Sequence, residues 1–530
     1  MRNFVKVPTR EELNKLIDNA ADIIRTAVDY KFILVLLFLK RINDLYLHER
    51  EKAEKKLRDI GLSEDQIKKE LDKEYNYTFN IPKDYLWDNI TKDVKNLPTN
   101  LANAINEVAK RNEELQGVIN RVDFLEFARN EENRELLKKL VELFNKYDLD
   151  GDELSPDIFG DAYEHILMKF APQKAKEGEI YTPREVIRLL VSILDPKPDD
   201  KVYDPCCGSG GMLILSYKYV NAKYGDKVKR LSLFGQERNL EIYSICKMNL
   251  LSHGVKDFKI ENGDTLLYPK FLKEGYRFDI VIANPPWNQD GYGEDTLKSA
   301  ELKERFAFGY PPNNKADWAW IEHMLYSAND RGKVGVVIDN GCLFRGGVER
   351  SIRKNIVDKD YLDTVILLPE KLFYNTGAPG AIIILNKSKP ADRKDKVLFI
   401  NASNEYIKHP EIKRLNSLSD GNIRKIVDAY NSFKDIEGLS KVVSIEKIKE
   451  NDYNLNVTLY ATVLEEKEHI DLKEVYEELN ELEEERGIVK RKIDEVMTKL
   501  NPFLALFLML IRALADITNI LDDASWWFNG

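Results

Sequence analysis

The feature that most narrows the fold of this chain is an alternation of segment types between about Gly151 and Asn386. Short β-branched or apolar runs, Lys201 to Tyr203, Leu231 to Gln236, Phe278 to Ala283, Gly332 to Ile338, Leu362 to Leu368 and Gly380 to Leu385, are separated by amphipathic stretches of helix length. Strands joined through helices pair in parallel, because a tight hairpin cannot return the chain to the same end of a sheet. The helices then cover both faces. The pattern predicts an α/β domain over residues 151–400, with its ligand site at the carboxyl ends of the strands.

The flanking sequence has other textures. From Arg10 to about Asp150 apolar residues recur at helical spacing, as in Leu13, Leu16, Ile17, Ala20 and Ile24, followed by the denser run YKFILVLLFLKRIND. This predicts an N-terminal helical domain over residues 1–150. The lysine-rich stretch 401–461 is expected as a connector. Within residues 462–530, Leu472, Val475, Leu479, Leu482, Arg486, Val489, Ile493, Val496 and Leu500 alternate gaps of three and four, the seam of a coiled coil with one charged interruption. About 45 Å of helix at the standard rise suits an arm that reaches another chain. The apolar end, with Trp526, Trp527 and Phe528, needs a surface to cover it.

The four cysteines, two of them adjacent at Cys206 and Cys207, form neither a Cys-x-x-Cys pair nor a zinc-ribbon spacing. A reducing, cytoplasmic setting is expected. The amino terminus lacks the pattern of a signal peptide, and the longest apolar run, Phe503 to Ile511, is too short to span a bilayer. A soluble protein without a membrane partner is therefore expected. His165, His253 and His323 are too scattered to suggest a metal site, so none is expected. The formal charge of -10 opposes a grip on nucleic acid by the whole surface, but leaves room for local basic patches or a basic partner subunit.

The residues that carry chemistry lie at strand ends. The strand ending at Tyr203 runs into DPCCGSGGM, Asp204 to Met212, where Gly208, Gly210 and Gly211 let the backbone turn tightly beside a ligand. Asp204 stands where a dinucleotide-binding loop has its first glycine, and a carboxylate there favours a cationic or amine-bearing ligand over a pyrophosphate. Glu237, at the next strand end, is placed to accept ribose hydroxyls. Asp264, in ENGDTL, is placed to meet an adenine edge. The strand FDIVIA ends in Asn284, Pro285, Pro286 and Trp287. The prolines fix the backbone and remove donors, which leaves carbonyl acceptors beside the Asn284 amide and an aromatic face. Such a pocket suits a planar amine: the Asn284 side-chain oxygen and the Pro285 carbonyl take its two hydrogens while Trp287 stacks on the ring.

With these motifs in this order, the sequence resembles the gamma-class N6-adenine DNA methyltransferases, and most closely the modification subunit of type I restriction-modification systems. GEIYTPREVIRLLV, upstream of the glycine loop, is similar to the family's cofactor-closing segment, and YKFILVLLFLKRINDLY and NNKADWAWIEHML are similar to this subunit family. The resemblance implies a Rossmann-like S-adenosylmethionine-dependent methyltransferase domain, with an N-terminal helical domain and C-terminal coiled-coil helices. It places Tyr181, Thr182 and Pro183 over the cofactor, Asp204 and the loop residues Cys207, Gly208, Ser209, Gly210 and Gly211 around its methionine part, Glu237 at its ribose and Asp264 at its adenine. Asn284 would adjoin both cofactor and base, with Pro285, Pro286 and Trp287 holding the target.

The chemistry so implied is a direct displacement onto the exocyclic amine of a flipped adenine, with no metal and no covalent intermediate. Cytosine C5 methylation needs a cysteine nucleophile, and Pro205-Cys206 already belongs to the glycine loop. A protein-glutamine or ribosomal RNA N-methyltransferase, or a non-catalytic assembly subunit, are the rival readings. Residues 386–530 leave little room for a target-recognition domain, so double-stranded DNA is expected to be read by a separate specificity subunit. The resemblance implies a second copy of the modification subunit and a restriction subunit as further partners. Lys315 and Asp317 are candidates for DNA contact.

Overall fold

The computed structural model describes residues 6–24, 30–73, 77–150, 156–176, 182–410, 412–463 and 472–499. Two compact units divide the chain, Met1–Leu464 and Glu465–Gly530.

In the first unit the strands are β1 (Lys201–Asp204), β2 (Ser232–Glu237), β3 (Phe258–Asn262), β4 (Phe278–Ala283), β5 (Ala328–Asp339), β6 (Leu362–Leu367), β7 (Gly380–Asn386), β8 (Lys396–Asn401), β9 (Ile407–Lys408), β10 (Asn416–Ser417) and β11 (Ser440–Ser444). Nine of them form one sheet in the order β11-β8-β6-β7-β5-β4-β1-β2-β3, and β9 and β10 make a small ribbon. From β3 to β5 every pairing is parallel. The chain order reverses at β1, which lies between β2 and β4, so the switch point where such sheets bind ligands falls at the ends of β1 and β4.

The sheet departs from the all-parallel expectation at β7, which runs antiparallel to both β5 and β6. The cause is local: residues 368–379 contain no helix, so this connection cannot make a crossover and β7 slots between its neighbours as a hairpin partner. All seven residues of β7 are buried, and its isoleucines and leucine bridge the two hydrophobic layers of the sheet. Each such side chain contributes roughly 2 kcal/mol of transfer free energy. The stretch 401–461, expected as a connector, supplies β9 to β11 and packs on the sheet through Asn401 Nδ2, which donates to the Ala461 carbonyl at 2.8 Å, and Tyr460 against Phe399.

The N-terminal helices form their own core, and it extends to Ile245 and Met248 on the helix behind β2. Leu13, Leu16, Ile17 and Ala20 are buried as their spacing predicts. The helix Lys31–Asp59 buries every residue from Phe32 to Asp44, polar ones included. Those polar groups are paired: Lys40 with Asp44 and Arg41 with Asp150, while His48 bridges Asp148 and Asp150. In the second unit Leu472–Lys499 is one helix, and Leu479, Leu482, Val489, Ile493 and Val496 of the seam are all exposed. Leu500, Trp526, Trp527 and Phe528 lie outside the described residues. None of the helices among the described residues is long and apolar enough to cross a membrane.

Candidate active site

The glycine loop is built as its composition demands. Gly208 and Gly210 take positive φ values of 52° and 89°, and Gly210 leads directly into the helix Gly211–Tyr224. An added Cβ at Gly210 would stand 3.0 Å from Cys246 Sγ, so shape and backbone both require glycine there. The loop is pinned by Cys207 N donating to the Gln236 carbonyl at 3.1 Å and by Asn249 Nδ2 donating to the Ser209 carbonyl at 2.9 Å.

Asp204, at the end of β1, is 2% exposed and accepts from the Cys206 amide at 3.0 Å. Burial pushes its carboxyl up to about 8, and the nearby Glu237 charge adds to the shift. Glu237 ends β2 and accepts from Gly208 N at 3.0 Å and Asn239 N at 2.7 Å, which joins the second strand end to the glycine loop. Its carboxyl is also raised by burial.

Asn284 directly follows β4 and is held from two sides. Its Nδ2 donates to Thr182 Oγ1 at 2.8 Å, and its Oδ1 accepts from Trp287 Nε1 at 3.0 Å. Because the indole nitrogen is a donor only, the amide has a single consistent orientation. One lone pair of Oδ1 remains for another donor. Pro285 is buried and Pro286 half-buried. Trp287 packs edge-on against Phe373, with ring centroids 4.8 Å apart, over Gly380, where any Cβ would strike both rings. The loop after Trp287 is clamped as well: Asn288 Oδ1 accepts from Arg345 at 3.0 Å and Lys315 at 2.9 Å.

A single cleft brings together Thr182, Asp204, Cys207, Gly208, Ser209, Gly211 and Asn284, with Cys206 and Met212. Pro183, Gly210, Glu237, Asp264, Pro285, Pro286 and Trp287 are not in its lining; Glu237 reaches it through Gly208. Asp264 accepts from Tyr292 OH at 2.5 Å and Leu267 N at 3.1 Å, and its neighbour Thr265 donates from Oγ1 to the Pro205 carbonyl at 2.6 Å. Tyr181 lies outside the described residues. Asp317 is 1% exposed and ion-paired to Arg345, so it faces inward instead of toward DNA.

Sequence reasoning missed Glu164 and Arg184, which line the same cleft, and Phe373 and Gly380, which seat Trp287. Two carboxylates, Asp161 and Glu164, inside the largely apolar segment FGDAYEHILMKF were the available signal. Asp161, Glu164 and His253 gather within 4.8 Å of one another, an arrangement that three scattered positions did not suggest. Arg10, Arg184 and Lys218 already pair with these carboxylates, so added positive charge is opposed there and the cluster acts as an ion-pair node between helices.

Residues 154–469 match the N-6 DNA methylase family, and residues 13–144 match the HsdM N-terminal domain. The MjaVII type I restriction enzyme methylase subunit of Methanocaldococcus jannaschii is 48% identical over 503 residues, covering 93% of this chain and 84% of the relative. The MjaVIII methylase subunit of the same organism is 46% identical, covering 92% and 85%. A crystal structure of the type I restriction-modification methyltransferase subunit from Streptococcus thermophilus superposes with a TM-score of 0.74 at 27% identity, covering 86% of this chain and all of that one. The chain belongs to the N-6 DNA methylase family, among the methylase subunits of the type I restriction-modification systems.

Proposed function

We propose that this chain is a site-specific DNA adenine N6-methyltransferase, acting as the modification subunit of a type I complex with S-adenosylmethionine as methyl donor. The observation that carries the reading is the cleft itself, where an oriented Asn284 amide and a glycine loop beginning with a buried carboxylate share one lining.

The residues fit that donor. A Cβ at Gly208 would meet no heavy atom within 4 Å, so the loop leaves an open cradle, and Asp204, which has no ion-pair partner among the described residues, offers a carboxyl that can ionise beside a bound cation. Glu237 keeps lone pairs for ribose hydroxyls beyond those used by Gly208 and Asn239. When bound, S-adenosylmethionine supplies an activated methyl on a sulfonium, open to in-line displacement. The adenine amine is a weak nucleophile because its lone pair is delocalised into the ring. Asn284 Oδ1 and the Pro285 carbonyl accept its two hydrogens and localise that pair toward the methyl. Fixed acceptors and proximity supply the rate. The base leaves the duplex to reach the cleft, and contact with Trp287 offsets part of the cost.

Recognition of double-stranded DNA is delegated to a specificity subunit that docks on the exposed seam of Leu472–Lys499, in an assembly with a second modification subunit and, for cleavage, a restriction subunit. The setting is cytoplasmic. Labelled methyl transfer to mixed genomic DNA, with the chain alone and with its specificity partner, tests this reading. Label recovered as N6-methyladenine, dependent on the partner, is expected. Label on protein glutamine or on ribosomal RNA instead of DNA would replace it with one of those activities, and cofactor binding absent altogether would leave an assembly subunit.

A further inference from the structure

NNKADWAWIEHML, a motif that the catalytic reading leaves unused, contributes a buried polar network on the far side of the Asp264 loop. Arg305 is 1% exposed, yet no carboxylate among the described residues lies within ion-pair distance of it. All five of its N–H groups are spent. Nε donates to the Leu302 carbonyl at 3.0 Å, one terminal nitrogen to the carbonyls of Leu266 at 2.7 Å and Glu301 at 3.0 Å, and the other to the Thr265 carbonyl at 3.2 Å and to His323 Nδ1 at 2.6 Å. A guanidinium cannot accept a hydrogen bond, so Nδ1 is the acceptor and His323 is the neutral tautomer with its proton on Nε2. That proton faces Tyr203 OH at 3.3 Å and Ser327 Oγ at 3.4 Å. Burial and the Arg305 charge hold this histidine far below its ordinary range.

The network has a direction. Tyr203 immediately precedes Asp204 on β1. Thr265 and Leu266, whose carbonyls Arg305 grips, immediately follow Asp264, and Thr265 Oγ1 is bonded to the Pro205 carbonyl. A guanidinium without an ion-pair partner is costly to bury, and here two of its five donors go to the carbonyls directly after Asp264, two to those of Glu301 and Leu302, and one to His323, whose Nε2 faces Tyr203 directly before Asp204. We propose that Arg305, oriented by the His323 acceptor, is a positioning residue that fixes the Asp264 loop and thereby sets how tightly the adenine end of the cofactor is held. The proposal rests on the cofactor reading above.

Calorimetric titration of the full chain with S-adenosylmethionine tests it, because the dissociation constant is read separately from the fraction of competent protein. Four variants are compared: Asp264→Ala, His323→Asn, His323→Leu and the double variant Asp264→Ala with His323→Leu. His323→Asn retains an acceptor near the Nδ1 position and is expected to bind within about two-fold of wild type. His323→Leu is expected to weaken binding about ten-fold, consistent with one stranded buried donor. In the Asp264→Ala background the same change is expected to have little further effect, since it acts through that aspartate.

Unchanged affinity in His323→Leu, equal loss in His323→Asn, or additive losses in the double variant would each overturn the clamp. A purely structural role would lower the competent fraction and the melting temperature and leave the dissociation constant in place, which also overturns it. Should His323→Leu fail to fold, Arg305→Lys, which keeps the charge but not the five-donor fork, takes its place with the same expectations. Failure of the cofactor reading is distinct: wild type would give no heat, or Asp264→Ala would bind as wild type does.

Discussion

On the proposed reading, Asp204 is the residue on which the chemistry of the cofactor side turns. With its carboxyl pushed up to about 8 by burial, it is largely protonated at pH 7. A cation favours the carboxylate, so ligand binding lowers this value and expels the proton. Binding of S-adenosylmethionine at pH 7 is therefore expected to release close to one proton, read from heats measured in buffers of different ionisation enthalpy. Asp204→Asn should abolish the release, and wild-type heats that do not depend on buffer would contradict the assignment. Gly210→Ala should cost about 1–3 kcal/mol in thermal unfolding, from the positive φ together with the Cys246 contact. Both residues were legible in the sequence, because a glycine in a strand-to-helix turn and an aspartate before it carry their reasons locally. Glu164, Phe373 and Arg305 were not, because each reaches its partners only across the folded unit.

At the scale of elements, apolar runs marked β1, β2 and β4 to β7 but not β3, whose FKIEN run is mostly polar, and parallel pairing followed where helices separate the strands. It failed at β7, where a loop without a helix forces the antiparallel pairing; β9, β10 and β11 are too short or too polar to stand out, and the apolar run of β8, KVLFIN, was overlooked. The N-terminal helix pattern was read from periodicity, but the polar cluster inside it was not. His48 is raised to about 10 by hydrogen bonds to Asp148 and Asp150, with burial opposing. Since this folded value exceeds the unfolded one, the stabilisation is complete below about pH 6.5 and is lost as pH rises through 10. Asp148 and Asp150 are lowered in turn, so their share is present above the ordinary carboxylate range and fades on acidification. His48→Ala is expected to reduce unfolding free energy by about 1–3 kcal/mol at pH 6, with the difference from wild type shrinking toward pH 10. Denaturant titrations at the two pH values check it, and a pH-independent difference would point to packing alone.

For the whole molecule, a negatively charged chain with an exposed apolar seam is built to work in company. Replacing Leu482 and Val489 together by aspartate should leave the unfolding of the Met1–Leu464 unit unchanged while abolishing co-purification with the specificity subunit; retained association would move the docking surface elsewhere. The central claim is that one cleft holds the methyl donor on its glycine-loop side and the adenine amine on its Asn284 side. The direct test is Asn284→Ala in the assembled complex, with single-turnover methyl transfer to duplex DNA and the cofactor dissociation constant measured on the same preparation. Loss of transfer by at least about a hundred-fold, with cofactor affinity within about two-fold of wild type, is the predicted result. Transfer that persists near the wild-type rate while cofactor remains bound would contradict it.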